Sequence, residues 1–192
     1  MDASQAYEHH AHTFLAGRDA SGIGTRVIEH WCRTLPAGAT VIELACGGGY
    51  PVTRVLREAG LGVWAVDSSP TLLATFAQRF PEIPVQCAKV QESDFFGRRF
   101  DAALAVGLIF LLPEAEQVAL LARVAQCLEP GGRFLFMAPV EQGAWLDLNT
   151  GVGCRSLGQA AYEGHLSDAG FRMVATFVDK GGNHYYDAQR VR

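Results

Sequence analysis

The sequence lacks an apolar run long enough to cross a bilayer. Its longest, such as residues 104–113, reach about half of the roughly 20 residues a membrane helix needs. It also lacks any cysteine pair at metal or redox spacing: the five thiols stand singly at 32, 46, 87, 127 and 154. An odd, scattered set of this kind predicts reduced thiols, small buried hydrophobes and a cytoplasmic setting. No excess of basic residues is present, with 16 Lys and Arg against 20 Asp and Glu and a net charge of −4, so neither a nucleic-acid partner nor a membrane partner is expected. Repeats and low-complexity tracts are missing, and residues 1–12 are polar and mixed rather than an apolar targeting segment.

What is present fits one α/β domain over residues 1–192, with an N-terminal helical lead or lid at 1–37 and a core at 38–192. Strand-like apolar runs alternate with helical ones, the pattern of a mostly parallel sheet with helices on both faces. Strands are expected at 40–45, 61–66, 83–88, 100–106 and 133–138. Helices are expected at 21–35, 51–59, 70–80, 113–128 and 159–169. Residues 140–158 read as an irregular, Gly-rich loop over the ligand face. Residues 171–178 and 183–189 flank Asp179-Lys180-Gly181-Gly182, a hairpin signal that predicts an antiparallel last strand.

The strongest local signal is Val41-Ile42-Glu43-Leu44-Ala45-Cys46-Gly47-Gly48-Gly49: a buried strand, a glycine turn, then a helix. Such a turn brings backbone N–H groups close to a ligand beyond the strand's carboxyl end. Asp67 ends the next strand, where an acid can accept from both hydroxyls of an adenosine ribose. A dinucleotide fingerprint starting at Gly47 would require glycine at 52, and Val52 stands there. Glu43 suits a cationic amine and would repel a pyrophosphate.

These residues resemble the class I S-adenosylmethionine-dependent methyltransferases, of the small bacterial type. Residues 41–49 are similar to that family's first motif, with Ala45 where its first glycine is usual, a change expected to cost little on extended backbone. Phe100-Asp101-Ala102-Ala103 resembles its fourth strand, and Leu128-Glu129-Pro130-Gly131-Gly132 its turn into the fifth. Ser93-Asp94-Phe95-Phe96-Gly97 and Asn183-His184-Tyr185-Tyr186 are similar to further segments of it. The resemblance implies a Rossmann-like sheet of seven strands and S-adenosylmethionine as cofactor. It further implies that Glu43, Ala45 and Gly47 hold the methionine end, that Gly49 allows close approach, and that Asp67 and Ser68 hold the ribose. Lys89 falls where an adenine-binding acid is usual, leaving Val90 or Gln91 to take the base. Gly107 and Leu108 are implied beneath the sulfonium, and Arg18 against the methionine carboxylate.

Methyl transfer needs an acceptor held in line, and a hydroxyl acceptor also needs a general base. His184 is the candidate base. Tyr7, Trp145, Asn183 and Tyr186 are candidate acceptor contacts, with at most one of Tyr185 and Tyr186 facing the pocket. His9-His10-x-His12 has no partner cluster, so no metal is expected. The reading is therefore a methyltransferase acting on O, N or S of a small-molecule acceptor, as monomer or homodimer. Its alternatives are a nicotinamide-dependent oxidoreductase, disfavoured by Val52 and Glu43, and a non-catalytic cofactor-binding protein acting through a partner.

Overall fold

A computed structural model describes residues 2–191; Met1 and Arg192, the ends of the expected domain, lie outside the described residues. Helices α1 (Ala3–His9), α2 (Ala11–Asp19) and α3 (Thr25–Cys32) precede strand β1 (Thr40–Leu44). Then follow α4 (Val52–Glu58), β2 (Gly62–Asp67), α5 (Pro70–Arg79), β3 (Val85–Cys87) and β4 (Phe100–Ala105). The chain continues through α6 (Glu114–Cys127), β5 (Leu128–Met137), the short hairpin β6 (Gly143–Leu146) and β7 (Gly153–Ser156), α7 (Gln159–Asp168), β8 (Phe171–Val178) and β9 (His184–Arg190).

Seven strands form one sheet in the order β3-β2-β1-β4-β5-β9-β8. β1 to β5 are parallel, and β9 runs antiparallel between β5 and β8. The Rossmann-like architecture is thus as expected. Strand order reverses between β1 and β4, which opens a crevice at their carboxyl ends. Both faces of the sheet are covered, so β1 reads as an unbroken buried run rather than an alternating one. Ile42, Leu44, Phe134 and Phe136 pack under α6 and α7, and Val41, Val63, Leu104 and Leu135 under α3, α4 and α5.

Two regions carry more structure than expected. The lead holds α1 and α2, and α3 begins only after Gly24, whose φ of +86° suits glycine. The available signal was Asp2-x-x-Gln5, which forms a capping box at the start of α1. The lead is pinned to the core at three points. Glu8 accepts from the Ser69 hydroxyl and the Thr71 N–H and hydroxyl at the start of α5. Asp19 pairs with Arg79, and Asp2 pairs with Lys89 at 2.7 Å. Within residues 140–158, expected to be irregular, the β6–β7 hairpin forms instead. Asp147 closes its tip, accepting from the Thr150 N–H at 3.0 Å and hydroxyl at 2.6 Å. β6 is exposed throughout, and in β7 the buried alternate positions are Cys154 and Ser156, too short and too polar a pattern to read as a strand.

Candidate functional site

A cavity of about 280 Å³ opens at the carboxyl ends of β1, β2 and β4. Its floor is the glycine turn. Ala45 and Gly47 adopt φ of +58° and +57°, and the Gly47 N–H donates to Asp67 Oδ2 at 2.8 Å. Asp67 Oδ1 accepts from the Ser69 N–H at 2.9 Å. Each carboxylate oxygen keeps lone-pair capacity for a further donor. Burial pushes the Asp67 carboxyl up, against hydrogen bonds from the Ser69, Gly47 and Ser68 N–H groups.

Ala45 does not have the extended backbone expected of it. Its left-handed conformation explains why glycine is usual there: a Cβ in that region costs roughly 1–2 kcal/mol. Ala45→Gly relieves that cost but makes the unfolded chain freer. The expected net gain is about 0.5–1 kcal/mol, read as a small rise in Tm. An unchanged or lower Tm would mean that the Ala45 methyl packs well enough to compensate.

Arg18 reaches the cavity from α2. Its guanidinium donates to the Ile23 carbonyl at 3.4 Å, and no carboxylate among the described residues lies within ion-pair distance. Burial holds its pKa below the ordinary arginine value, against the charges of Glu43 and Asp179 nearby. A half-buried cation without a paired anion invites one from a ligand. Glu43 does not itself line the cavity. It is fully buried, accepts from the Thr53 hydroxyl at 2.6 Å, and is pushed by burial up to about 8.

Most of the other expected cofactor contacts converge. Ser68, Lys89, Val90, Gln91, Gly107 and Leu108 all line the cavity. Lys89 is occupied with Asp2. The Gln91 amide nitrogen donates to Glu116 at 2.5 Å, and Arg123 donates to the backbone carbonyls of Gln91 and Ser93. Because a carboxylate can only accept, Glu116 fixes which end of the Gln91 amide faces it and leaves the carbonyl oxygen unengaged. Gly49 lies off the cavity: a Cβ there would meet the Phe80 and Phe76 rings, so its closeness serves packing rather than a ligand.

At the acceptor end, Tyr7 and Asn183 line the cavity as expected, whereas Tyr186 and His184 do not. Successive strand residues point to opposite faces. Asn183 and Tyr185 therefore turn to the cavity, while Tyr186 is buried in the α6–α7 core, stacked on Phe136 at 4.9 Å. His184 shares the Tyr186 face by the same alternation, and its backbone carbonyl accepts from the Ala138 N–H. Trp145 stands on an adjoining groove and touches the cavity through Phe110, ring to ring at 5.5 Å. Phe14, Phe110, Asp147 and Asn149 complete this end. Phe14 and Arg18 are four residues apart on α2, a spacing that reveals a shared face once the lead is read as helical.

The donor set fits an adenosyl amino acid: an unpaired guanidinium at one end, a glycine turn, and a buried carboxylate with spare acceptor capacity at the other. Residues 41–132 match the family model described as "Methyltransferase domain". The chain is 27% identical over 160 residues to the ubiquinone biosynthesis O-methyltransferase of Xanthomonas axonopodis pv. citri, covering 81% of this chain and 58% of that protein. It spans only 38% to 58% of the lengths of the curated relatives it matches. Among solved structures, the 1,6-didemethyltoxoflavin-N1-methyltransferase of Burkholderia thailandensis, with 1,6-didemethyltoxoflavin and S-adenosylhomocysteine bound, superposes with TM-score 0.74 at 23% identity, covering 100% of this chain and 92% of that one. The cyclase SpnF superposes with TM-score 0.77 at 15% identity over 98% and 95% of the two chains, so the fold alone does not fix the chemistry. The family match over residues 41–132, the sheet order and the glycine turn with its acid all support one family, the class I S-adenosylmethionine-dependent methyltransferases.

Proposed function

We propose that the protein binds S-adenosylmethionine across the carboxyl ends of β1, β2 and β4 and transfers its methyl group to O, N or S of a small-molecule acceptor. The observation that carries this reading is the placement of Arg18 and Asp67 in one cavity with the glycine turn in its wall. Arg18 takes the methionine carboxylate, and the buried Glu43 favours the ammonium beside it. Asp67 accepts from the ribose hydroxyls. The Gln91 carbonyl oxygen and the backbone at Val90 offer acceptors to the adenine amine, which accounts for binding with Lys89 in place of an acid.

When bound, the cofactor supplies a methyl group on a good leaving group. The chain's own task is to orient the acceptor and exclude water. Gly107 leaves the space beside β4 open, since a Cβ there would meet nothing within 4 Å. Tyr7, Phe14 and Phe110 form an aromatic wall opposite. The acceptor enters between the lead and the β6–β7 hairpin, and a small cavity of this kind suits a small molecule. A dinucleotide is disfavoured because its phosphates would come to the glycine turn near Glu43 and because Val52 replaces the third glycine of its fingerprint.

Titration calorimetry with S-adenosylmethionine, S-adenosylhomocysteine and NADH tests the cofactor reading. Tight NADH binding with no response to the other two rejects it. Asp67→Ala is expected to weaken S-adenosylhomocysteine binding by about 1–3 kcal/mol through lost charge-assisted hydrogen bonds. Affinity equal to wild type would remove Asp67 from the site.

A further inference from the structure

The acceptor end holds a carboxylate without a counter-ion. Asp147 lines the cavity from the tip of the β6–β7 hairpin. Its Oδ2 is held by Thr150 and the Tyr7 hydroxyl lies within hydrogen-bond reach of the carboxylate, whose two oxygens still keep lone-pair capacity for a further donor. No cation among the described residues lies within ion-pair distance of it. Two of the other polar groups nearby are engaged away from Asp147: the Tyr185 hydroxyl and the Asn183 amide nitrogen both donate to Asp179. Tyr7 faces Asp147 and stands edge-on to Phe14, with ring centroids 5.1 Å apart. His184, the expected base, is turned away on the opposite face of β9. The site thus offers an incoming group one negative charge and aromatic rings, and no general base on β9.

From this arrangement we infer that the acceptor is an amine carried on an aromatic or apolar body, and that Asp147 determines that specificity by accepting a hydrogen bond from the reacting nitrogen. The inference rests on the methyltransferase reading above. Aromatic faces and a carboxylate together recognise an N–H group that is positively charged or becomes so. An amine that is an ammonium ion in solution first gives up its proton to water, and the transfer itself then balances without a base. A neutral amine's lone pair forms the N–C bond, the C–S bond breaks with its electron pair staying on sulfur, and the positive charge moves from sulfur to nitrogen. Asp147 lies where that charge arrives and stabilises it. A carboxylate or phenolate acceptor would meet repulsion at the same place. An alcohol would have to lose a proton during the transfer.

The test uses the full chain and a matched set of probes: phenethylamine, phenethyl alcohol and phenylacetate. Each is titrated calorimetrically into the complex with S-adenosylhomocysteine and assayed with labelled methyl donor. Wild type is expected to bind and methylate the amine in preference to the other two. Asp147→Asn keeps an acceptor for Thr150 but removes the charge. It is expected to weaken amine binding roughly 10–100-fold, with little change for the alcohol or for S-adenosylhomocysteine. Equal weakening of amine and alcohol in Asp147→Asn would report a disturbed hairpin and overturns the inference. A preference for the alcohol or acid, no affinity for the amine in the S-adenosylhomocysteine complex, or equal amine affinity in Asp147→Asn overturns the inference. Failure of wild type to bind S-adenosylhomocysteine at all overturns the underlying reading instead.

Discussion

Gly49→Ala is expected to destabilise the protein by about 2–5 kcal/mol, although it adds one methyl group. Gly49 has φ +86°, and an added Cβ would stand 2.5 Å and 2.9 Å from ring atoms of Phe80 and 3.1 Å from Phe76. These rings are packed against each other at 5.3 Å and buried, so they cannot step aside. The left-handed backbone contributes roughly 1–2 kcal/mol and overpacking about 1–3 kcal/mol. Gly60 is the control. It has φ +76° at the end of α4 with nothing within 4 Å of an added Cβ. Gly60→Ala should cost only the backbone part, about 1 kcal/mol. Denaturant titration of the two variants separates the effects, and equal losses would show that the Phe80 contact is relieved at no cost.

The ligand-free protein is expected to lose stability as pH rises from about 5 to 8, chiefly through Glu43. Burial raises its carboxyl to about 8, above its usual value near 4.5. The folded state therefore holds the proton more tightly than the unfolded chain. The resulting stabilisation is complete below the unfolded value and fades as pH climbs through the folded one. Arg18 and the Thr53 hydroxyl favour the ionised form but do not outweigh burial, and the nearby Asp67 charge opposes ionisation. Glu43→Gln keeps a hydrogen-bonding group for Thr53 and removes the titration. At pH 8 it should exceed wild type by on the order of 3 kcal/mol, and at pH 5 by under about 1 kcal/mol. Asp67 is shifted the same way and leaves a residual slope in the variant. Parallel pH profiles for wild type and Glu43→Gln would mean that Glu43 is already charged in the folded protein. A ligand whose ammonium sits near Glu43 should flatten the wild-type profile.

The frame of the fold was legible because its signals are local. Buried apolar runs bounded by Gly, Pro or Asp announce β1, β2 and β4, and Ser69-Pro70 announces α5, where the serine hydroxyl accepts from the Leu72 N–H. The acid ending β2 and the glycine turn were legible for the same reason. What escaped depends on geometry that sequence carries weakly. On β9 the expectation holds for Asn183 and fails for His184 and Tyr186, because residues 183–186 are all plausible at a pocket and only the register against β5 assigns their faces. Ala45 was read as extended because alanine gives no hint of a positive φ. Phe14, Phe110 and Asn149 are brought to the cavity by α2, by the turn after β4 and by the β6–β7 tip, and nothing short of tertiary structure joins these three.

The ties that hold the lead in place also set an order on folding. Asp2 meets a lysine 87 residues further along the chain, and Glu8 meets a threonine 63 residues away. The segment carrying Tyr7, Phe14 and Arg18 has no seat until β2, α5, β3 and the start of the loop after β3 exist. It is therefore expected to close over the cavity late, after the sheet beneath has formed. Because such long-range contacts repay their loop-closure entropy only at the end, the lead should be among the first parts to open under native conditions. Opening there would uncover the cavity while the strands stay paired, giving a small molecule a way in and out that does not require the protein to unfold.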